Sequence, residues 1–245
     1  MSIQTYTATV TRVRDLTHDV RELELMLVEP KDLSFKAGQF ISFEVPKKGF
    51  PLAAVRPYSI VSPPSQRDRL TVVLNLVPGG PGSTFLYSLR EGDQTTFKGP
   101  AGSFYLKDDA TRDFLFVATG TGIAPTRSMI EALLVERRTS QAVTLFWGLR
   151  SQRDLYYQKE FQALAHQFPQ FSFITTLSQP EEGWTGVTGR VTSLVKNQVS
   201  SVKNLDAYLC GNSGMIQEVT SLIQARGLCP IHKEKYYDDR GAPTD

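Results

Sequence analysis

Cysteine is almost absent from this chain, with only Cys210 and Cys229 among 245 residues. Two thiols cannot build a disulfide framework, and they cannot supply the four thiolates that hold an iron–sulfur cluster. Any such centre is expected in a separate protein. Long apolar runs are also missing: no stretch approaches the ~20 residues that a membrane helix requires. The opening Met1-Ser2-Ile3-Gln4-Thr5 has no basic region leading into an apolar core, so no secretory signal is expected and a cytoplasmic location is the default. Charge of one sign is lacking as well. The net charge is +2 and is spread evenly over the two halves, which removes the electrostatic footprint of a nucleic-acid binder.

What is present is an ordinary globular composition, 40% hydrophobic and 21% charged, in a length that suits two domains. The first half alternates with period two. Tyr6, Ala8 and Val10 interleave with threonines, Leu23, Leu25 and Leu27 repeat the pattern, and further strands fit Gln39–Val45, Arg56–Ile60, Leu70–Val77 and Thr95–Lys98. Turn clusters at Pro46–Gly49, Pro63–Ser65 and Pro78–Gly82 separate them, and one short helix fits Ser83–Leu89. Six short strands so punctuated predict a small antiparallel barrel.

The second half changes period. Apolar runs at Phe114–Ala118, Val143–Trp147, Phe171–Thr176 and Ala207–Cys210 alternate with helical patterns. Those helices carry Met129, Ile130, Leu133 and Leu134, then Gln158–His166, then Val191–Val199. The last places Met215, Ile216, Val219, Leu222 and Ile223 on one face. Strands alternating with helices predict a parallel, doubly wound sheet. The boundary falls in the charged stretch Lys107–Arg112, giving domains 1–109 and 110–245.

Four strings carry chemistry. In Arg56-Pro57-Tyr58-Ser59, alternation puts Arg56 and Tyr58 on one side of a strand, where a planar cation suits phosphate and an aromatic ring can stack. A plain barrel strand with a surface arginine is the alternative. Gly79-Gly80-Pro81-Gly82-Ser83-Thr84 opens a predicted helix, so free N–H groups and the helix dipole converge on an anion site; a bare hairpin turn is the alternative. Gly120-Thr121-Gly122-Ile123-Ala124-Pro125 joins a strand to a helix, with glycines that let a diphosphate approach the backbone and a proline suited to the helix start. A purely structural turn is the alternative there. It lacks the third glycine of the common dinucleotide fingerprint, and no ATPase loop is present. Cys210-Gly211 ends a late strand, at the edge where open α/β sheets bind ligands, although a lone cysteine is more often an inert buried thiol.

In this order and spacing the strings resemble the ferredoxin–NADP reductase family, over a span from Phe35 to Tyr236. The resemblance implies an FAD-binding Greek-key β-barrel followed by a nicotinamide-binding α/β domain. The implied activity is hydride transfer from NAD(P)H to FAD and single-electron exchange with a ferredoxin or flavodoxin. Arg56, Pro57, Tyr58, Ser59, Gly80, Gly82, Ser83 and Thr84 would hold FAD. Gly120, Thr121, Gly122 and Gly211 would line the nucleotide side, with Ser59, Cys210 and Glu234 at the reacting rings. Tyr236, in Glu234-Lys235-Tyr236, resembles the aromatic that covers the flavin face in that family, but the chain continues past it where the plant-type pattern ends. Phe35–Phe40 and Gly99–Gly102 match positions of structural character.

Arg150, Ser178 and Arg190 resemble the positions that bind a 2′-phosphate, with Gln179 where a paired arginine would stand, so NADPH is expected over NADH. Lys47, Lys48, Arg67 and Arg69 flank the flavin string and offer a dock for an acidic carrier. Cys229-Pro230-Ile231-His232, with Cys210, is a fragment of metal spacing, but a structural zinc needs four ligands, and no metal is expected. Trp147 and Trp184 read as core or rim residues. An oxygenase reductase component, a free-flavin reductase and a non-catalytic electron-relay subunit are the competing readings, and a monomer is the expected state.

Overall fold

The computed structural model describes residues 3–45, 54–108 and 111–236. The chain divides into two compact units, Met1–Lys107 with Arg127–Arg138, and Asp108–Thr126 with Thr139–Asp245.

In the first unit, β1 (Gln4–Asp15), β2 (Val20–Glu29), β3 (Phe40–Val45), β4 (Ala54–Ser59), β5 (Arg69–Asn75) and β6 (Gln94–Ala101) form one antiparallel sheet in the order β4-β3-β6-β1-β2-β5. An antiparallel bridge between Ile60 and Val72 joins the end of β4 to β5, so the sheet curls onto itself as a barrel. The predicted alternation is the reason it curls with one face inward. Tyr6, Ala8 and Val10 are buried opposite Leu23, Leu25 and Leu27 in a single core. Rings fill its centre: Phe97 stacks on Tyr6 at 5.3 Å and meets Phe43 at 6.0 Å.

The helix α1 (Pro81–Ser88) starts two residues before the expected Ser83, because proline is tolerated in a first helical turn. β5 stops at Asn75, short of the expected Val77. The N–H of Val77 donates to the Ser83 hydroxyl at 3.0 Å, which draws the chain out of the sheet and into the turn.

In the second unit, β7 (Asp113–Thr119), β8 (Val143–Leu149), β9 (Phe171–Leu177), β10 (Val187–Thr188), β11 (Leu205–Gly211) and β12 (Ile231–Lys235) run parallel in the order β10-β9-β8-β7-β11-β12. Leu115, Val117, Ala207 and Leu209 face one way and pack against Val191 and Val195 of α4 (Val191–Gln198) and Met215 and Val219 of α5 (Ser213–Gln224). Trp147 faces the other way, onto Phe161 of α3 (Gln158–Gln167). The sheet is therefore covered on both faces, as its continuous apolar strands require. The helix α2 (Ile123–Glu131) follows the β7 turn and runs into a π-helical turn at Ala132–Glu136, its residues from Arg127 clustering with the first unit. Among the described residues no helix is long and apolar enough to cross a membrane.

The small strands β10 and β12 were not expected from the periodicity. Ile231–Lys235 is an edge strand, half-exposed, and mostly charged. His232 on it bonds buried Asp206 at 2.9 Å and stacks on Tyr208 at 4.5 Å, so its ring is taken up by those contacts rather than by a cluster with Cys229 and Cys210.

Phe97→Ala removes the ring that both Tyr6 and Phe43 pack against. It should cost about 3–5 kcal/mol, read as a lowered denaturation midpoint with an unchanged slope.

Candidate functional site

The first unit brings the flavin-like strings together through one glycine. A Cβ built on Gly82 would lie 2.7 Å from Cγ of Arg56 and 2.7 Å from the Tyr58 hydroxyl. Only a glycine lets the first turn of α1 approach β4 so closely. Arg56 and Pro57 are exposed and Ser59 is buried, in register with Phe40. Tyr58 is half-buried, its ring edge-on to Phe43 at 5.8 Å. Thr84 is exposed, and its N–H closes the turn on the Gly80 carbonyl at 3.0 Å.

The Ser83 side chain serves the turn itself. Its hydroxyl is buried, accepting from Val77 N–H and lying 3.1 Å from the Val77 carbonyl and 3.2 Å from that of Gly80. Ser83 therefore holds the turn, and what it offers a ligand is its N–H. No acceptor among the described residues takes the N–H of Gly82 or Ser83, so the start of α1 has two donors for an anion. The residues fit the diphosphate of a flavin dinucleotide. The structural readings of Gly38 and Gly102 agree with their φ values of +102° and +104°, and Gly38 packs against the Phe104 backbone.

In the second unit the nucleotide-like strings meet at the carboxyl edge of the sheet. A Cβ on Gly122 would stand 2.3 Å from the Cys210 carbonyl oxygen, and one on Gly211 (φ +134°) would stand 2.2 Å from Thr119 Oγ1. Glu234 lies in register with Cys210, and the N–H of Tyr236 donates to the Gly211 carbonyl at 3.1 Å. Gly120, Thr121, Gly122, Cys210, Gly211, Glu234 and Tyr236 thus gather at one place. Cys210 is fully buried. Burial pushes its thiol well above the ordinary range, the Glu234 carboxylate adds to that, and a hydrogen bond with Tyr236 pulls the other way. Such a thiol stays protonated at neutral pH and is no nucleophile.

At the same edge, the N–H of Ser178 donates to the Leu149 carbonyl and that of Gln179 to the Arg150 carbonyl, at 3.0 and 2.8 Å. Gly189 N–H donates to Leu177 at 2.8 Å, which sets Arg190 beside the end of β9. Arg150, Ser178, Gln179 and Arg190 are all exposed. Arg153 pairs with Glu181 at 3.1 Å, while Arg150 and Arg190 have no carboxylate partner among the described residues.

Several contributors went unread in the sequence. Trp147 is a core residue, and its indole N–H also donates to the Gly120 carbonyl, joined by the Tyr156 hydroxyl. Asn212 caps α5, accepting from the N–H groups of Gly214 and Met215, and its own N–H donates to Thr119 Oγ1. The Asn212-Ser213-Gly214 order after a strand was a legible cap signal; nothing in the periodicity marks Tyr156. Of the residues offered as a dock, Arg67 pairs with Asp32 and Arg69 with Asp68, while Lys47 and Lys48 lie outside the described residues.

Burial pushes the Tyr58 phenol up to about 12, against the opposing pull of Arg56. The folded state therefore holds that proton more tightly than the unfolded chain, whose phenol titrates near 10.0. The stability this lends is whole below pH ~10 and is lost as pH rises towards ~12. Chemical denaturation across that range should show a shallower alkaline decline for Tyr58→Phe than for the wild type, with Tyr87, also about 12, still contributing.

The description of an oxidoreductase FAD-binding domain matches residues 7–105, and that of an oxidoreductase NAD-binding domain matches residues 116–221. The phenol 2-monooxygenase reductase component DmpP of Pseudomonas sp. (strain CF600) is 32% identical over 96% of this chain and 66% of its own length. A Ralstonia sp. reductase component of naphthalene 1,2-dioxygenase/salicylate 5-hydroxylase systems, ferredoxin–NAD(P)(+), is 32% identical over 94% of this chain and 68% of its own. The chain thus spans about two thirds of the length of these curated relatives. Among solved structures, the Amycolatopsis reductase GcoB superposes with a TM-score of 0.85 at 30% identity, covering 95% of this chain and 70% of that one. A ferredoxin NADP+ reductase from Neisseria gonorrhoeae shares the fold, with a TM-score of 0.78 at 21% identity over 96% of this chain and 99% of that one. With the barrel, the parallel sheet and their two glycine-cradled clusters, these matches place the chain in the ferredoxin reductase-like family of FAD- and nicotinamide-dependent oxidoreductases.

Proposed function

We propose that the chain is a reductase that takes hydride from a nicotinamide dinucleotide and passes electrons to a separate carrier. Bound FAD supplies the conversion between a two-electron donor and a one-electron acceptor. The observation that carries the reading is the pair of close backbone approaches, Gly82 onto Arg56 and Tyr58, and Gly122 onto Cys210.

In this reading Arg56 neutralises the flavin diphosphate, with the N–H groups of Gly82 and Ser83 beside it and Gly80 and Pro57 shaping the turn. The Tyr58 ring offers a stacking face, while Ser59 and Thr84 contribute hydroxyls. In the second unit the N–H of Thr121 and the bare backbone of Gly122 receive the nucleotide diphosphate. Cys210, neutral and fully buried, supplies shape rather than a charge at the nicotinamide. Glu234 and Tyr236, set by β12 beside Cys210 and Gly211, complete that side.

The acceptor lies outside these residues, since two cysteines cannot bind a cluster. A ferredoxin or flavodoxin is the proposed carrier. The relatives named as monooxygenase and dioxygenase reductase components support a second reading, in which electrons pass to an oxygenase component. Reduction of an added ferredoxin, set against reduction of an oxygenase component alone, separates the two. A monomer in the cytoplasm completes the proposal.

Arg56→Ala should weaken FAD binding about ten- to a hundredfold, the loss of a hydrogen-bonded charge, and the protein should purify largely free of flavin. Full flavin occupancy in that variant returns Arg56 to a surface role.

NADPH is the proposed donor. A 2′-phosphate needs cations at one spot, and Arg150 and Arg190 are exposed at the carboxyl edge with no carboxylate of their own among the described residues. Glu181, the nearby acid, is held by Arg153. The ratio of kcat/KM for NADPH over NADH should exceed one, fall about tenfold in Arg150→Ala, and rise in Gln179→Arg. A preference for NADH that neither Arg150→Ala nor Arg190→Ala changes would rule the proposal out.

A further inference from the structure

Gly120 is the first residue of the turn after β7, with φ of +52°. Its carbonyl oxygen is crowded. Besides the N–H of Ile123, it accepts the indole N–H of Trp147 at 3.0 Å and the hydroxyl of Tyr156 at 3.3 Å. Both donors are buried, and a buried indole or phenol seeks an acceptor. Here both converge on one backbone carbonyl of the turn that the nucleotide reading uses.

The clamp is built with care elsewhere in the chain. The Trp147 ring is fixed edge-on between Tyr156 at 4.8 Å and Phe161 at 6.1 Å. Tyr157 packs on Tyr156 at 5.0 Å with φ of 54°, a left-handed conformation that non-glycine residues adopt only where their surroundings enforce it. That turn starts α3, and it leaves Tyr156 pointing back at Gly120.

Peptide planarity carries the consequence. Within one trans peptide the C=O and the following N–H point in opposite directions. With the Gly120 carbonyl drawn towards Trp147 and Tyr156, the N–H of Thr121 must face away from them, and no acceptor among the described residues takes it. Glycine alone would not hold this orientation, because it rotates as readily to the opposite one. A flipped peptide would present a carbonyl oxygen to an anion.

We propose that Trp147 and Tyr156 are positioning residues of the nucleotide turn, pinning the Gly120 carbonyl inward so that the Thr121 N–H is held out for the dinucleotide diphosphate. This rests on the nucleotide reading above. The two residues touch neither substrate nor flavin in this account; they act through one peptide group.

Tyr156→Phe and Trp147→Phe each keep an aromatic ring and remove the donor. Tyr156→Phe keeps the packing volume, so it remains informative if Trp147→Phe folds poorly. The flavin-loaded proteins are titrated calorimetrically with ADP-ribose, which carries the diphosphate and no nicotinamide. Each variant should bind it several-fold to tenfold more weakly, and the double variant up to about a hundredfold. KM for the reduced nucleotide should rise by the same factor, with kcat changed less than about twofold, because the lost contact is made equally in ground and transition states. A purely structural role would lower the melting temperature without that split. Variants that bind ADP-ribose as tightly as the wild type overturn the pin. A wild type that fails to bind ADP-ribose overturns the nucleotide reading, and the pin with it.

Discussion

The organisation of the second unit depends on one close approach of backbone to backbone. The Gly120–Gly122 turn lies against the end of β11 so tightly that any side chain at 122 would overlap the Cys210 carbonyl, and Gly211 meets Thr119 in the same way. Two strand ends, β7 and β11, are thereby locked at the carboxyl edge of the sheet. Everything placed there follows: Asn212 starts α5 directly afterwards, and β12 runs beside β11 to deliver Glu234 and Tyr236. Open α/β sheets bind ligands at this edge because the helix starts leave N–H groups unfilled.

The first unit solves a related problem with different parts. Here the close contact joins one strand, β4, to one short helix, α1, laid against it. Gly82 permits that contact, and the Ser83 hydroxyl, caught between Val77 and Gly80, fixes the turn that brings the helix in. The same residues that close the fold therefore leave the N–H groups of Gly82 and Ser83 available beside Arg56. The hydroxyl of that serine is taken up by the turn, and its N–H is the group assigned to the proposed anion.

Much of this was legible in the residues. Alternation at Tyr6–Val10 and Leu23–Leu27 marks the barrel, and the apolar runs at Phe114–Ala118 and Val143–Trp147 mark the parallel sheet. The glycine strings were readable as turns open to a phosphate, whereas the packing of Gly122 on Cys210 and of Gly82 on Arg56 was not. The edge strand Ile231–Lys235 was not legible, since backbone pairing rather than side-chain burial forms it. The use of the Ser83 hydroxyl within its own turn was also hidden, because a serine at a helix start reads equally as a ligand contact. Trp147 and Tyr156 stayed silent for a further reason: their bonds to Gly120 depend on tertiary packing that no local pattern encodes.

In the proposed function the first cluster holds a flavin and the second a nicotinamide nucleotide that reduces it. The visible absorption spectrum of the purified protein, recorded anaerobically before and after adding NADPH or NADH, tests it most directly. The expected result is a yellow protein whose flavin bands bleach on adding the nucleotide. A colourless protein that takes up no FAD on reconstitution, or a yellow one that neither nucleotide bleaches, would contradict it.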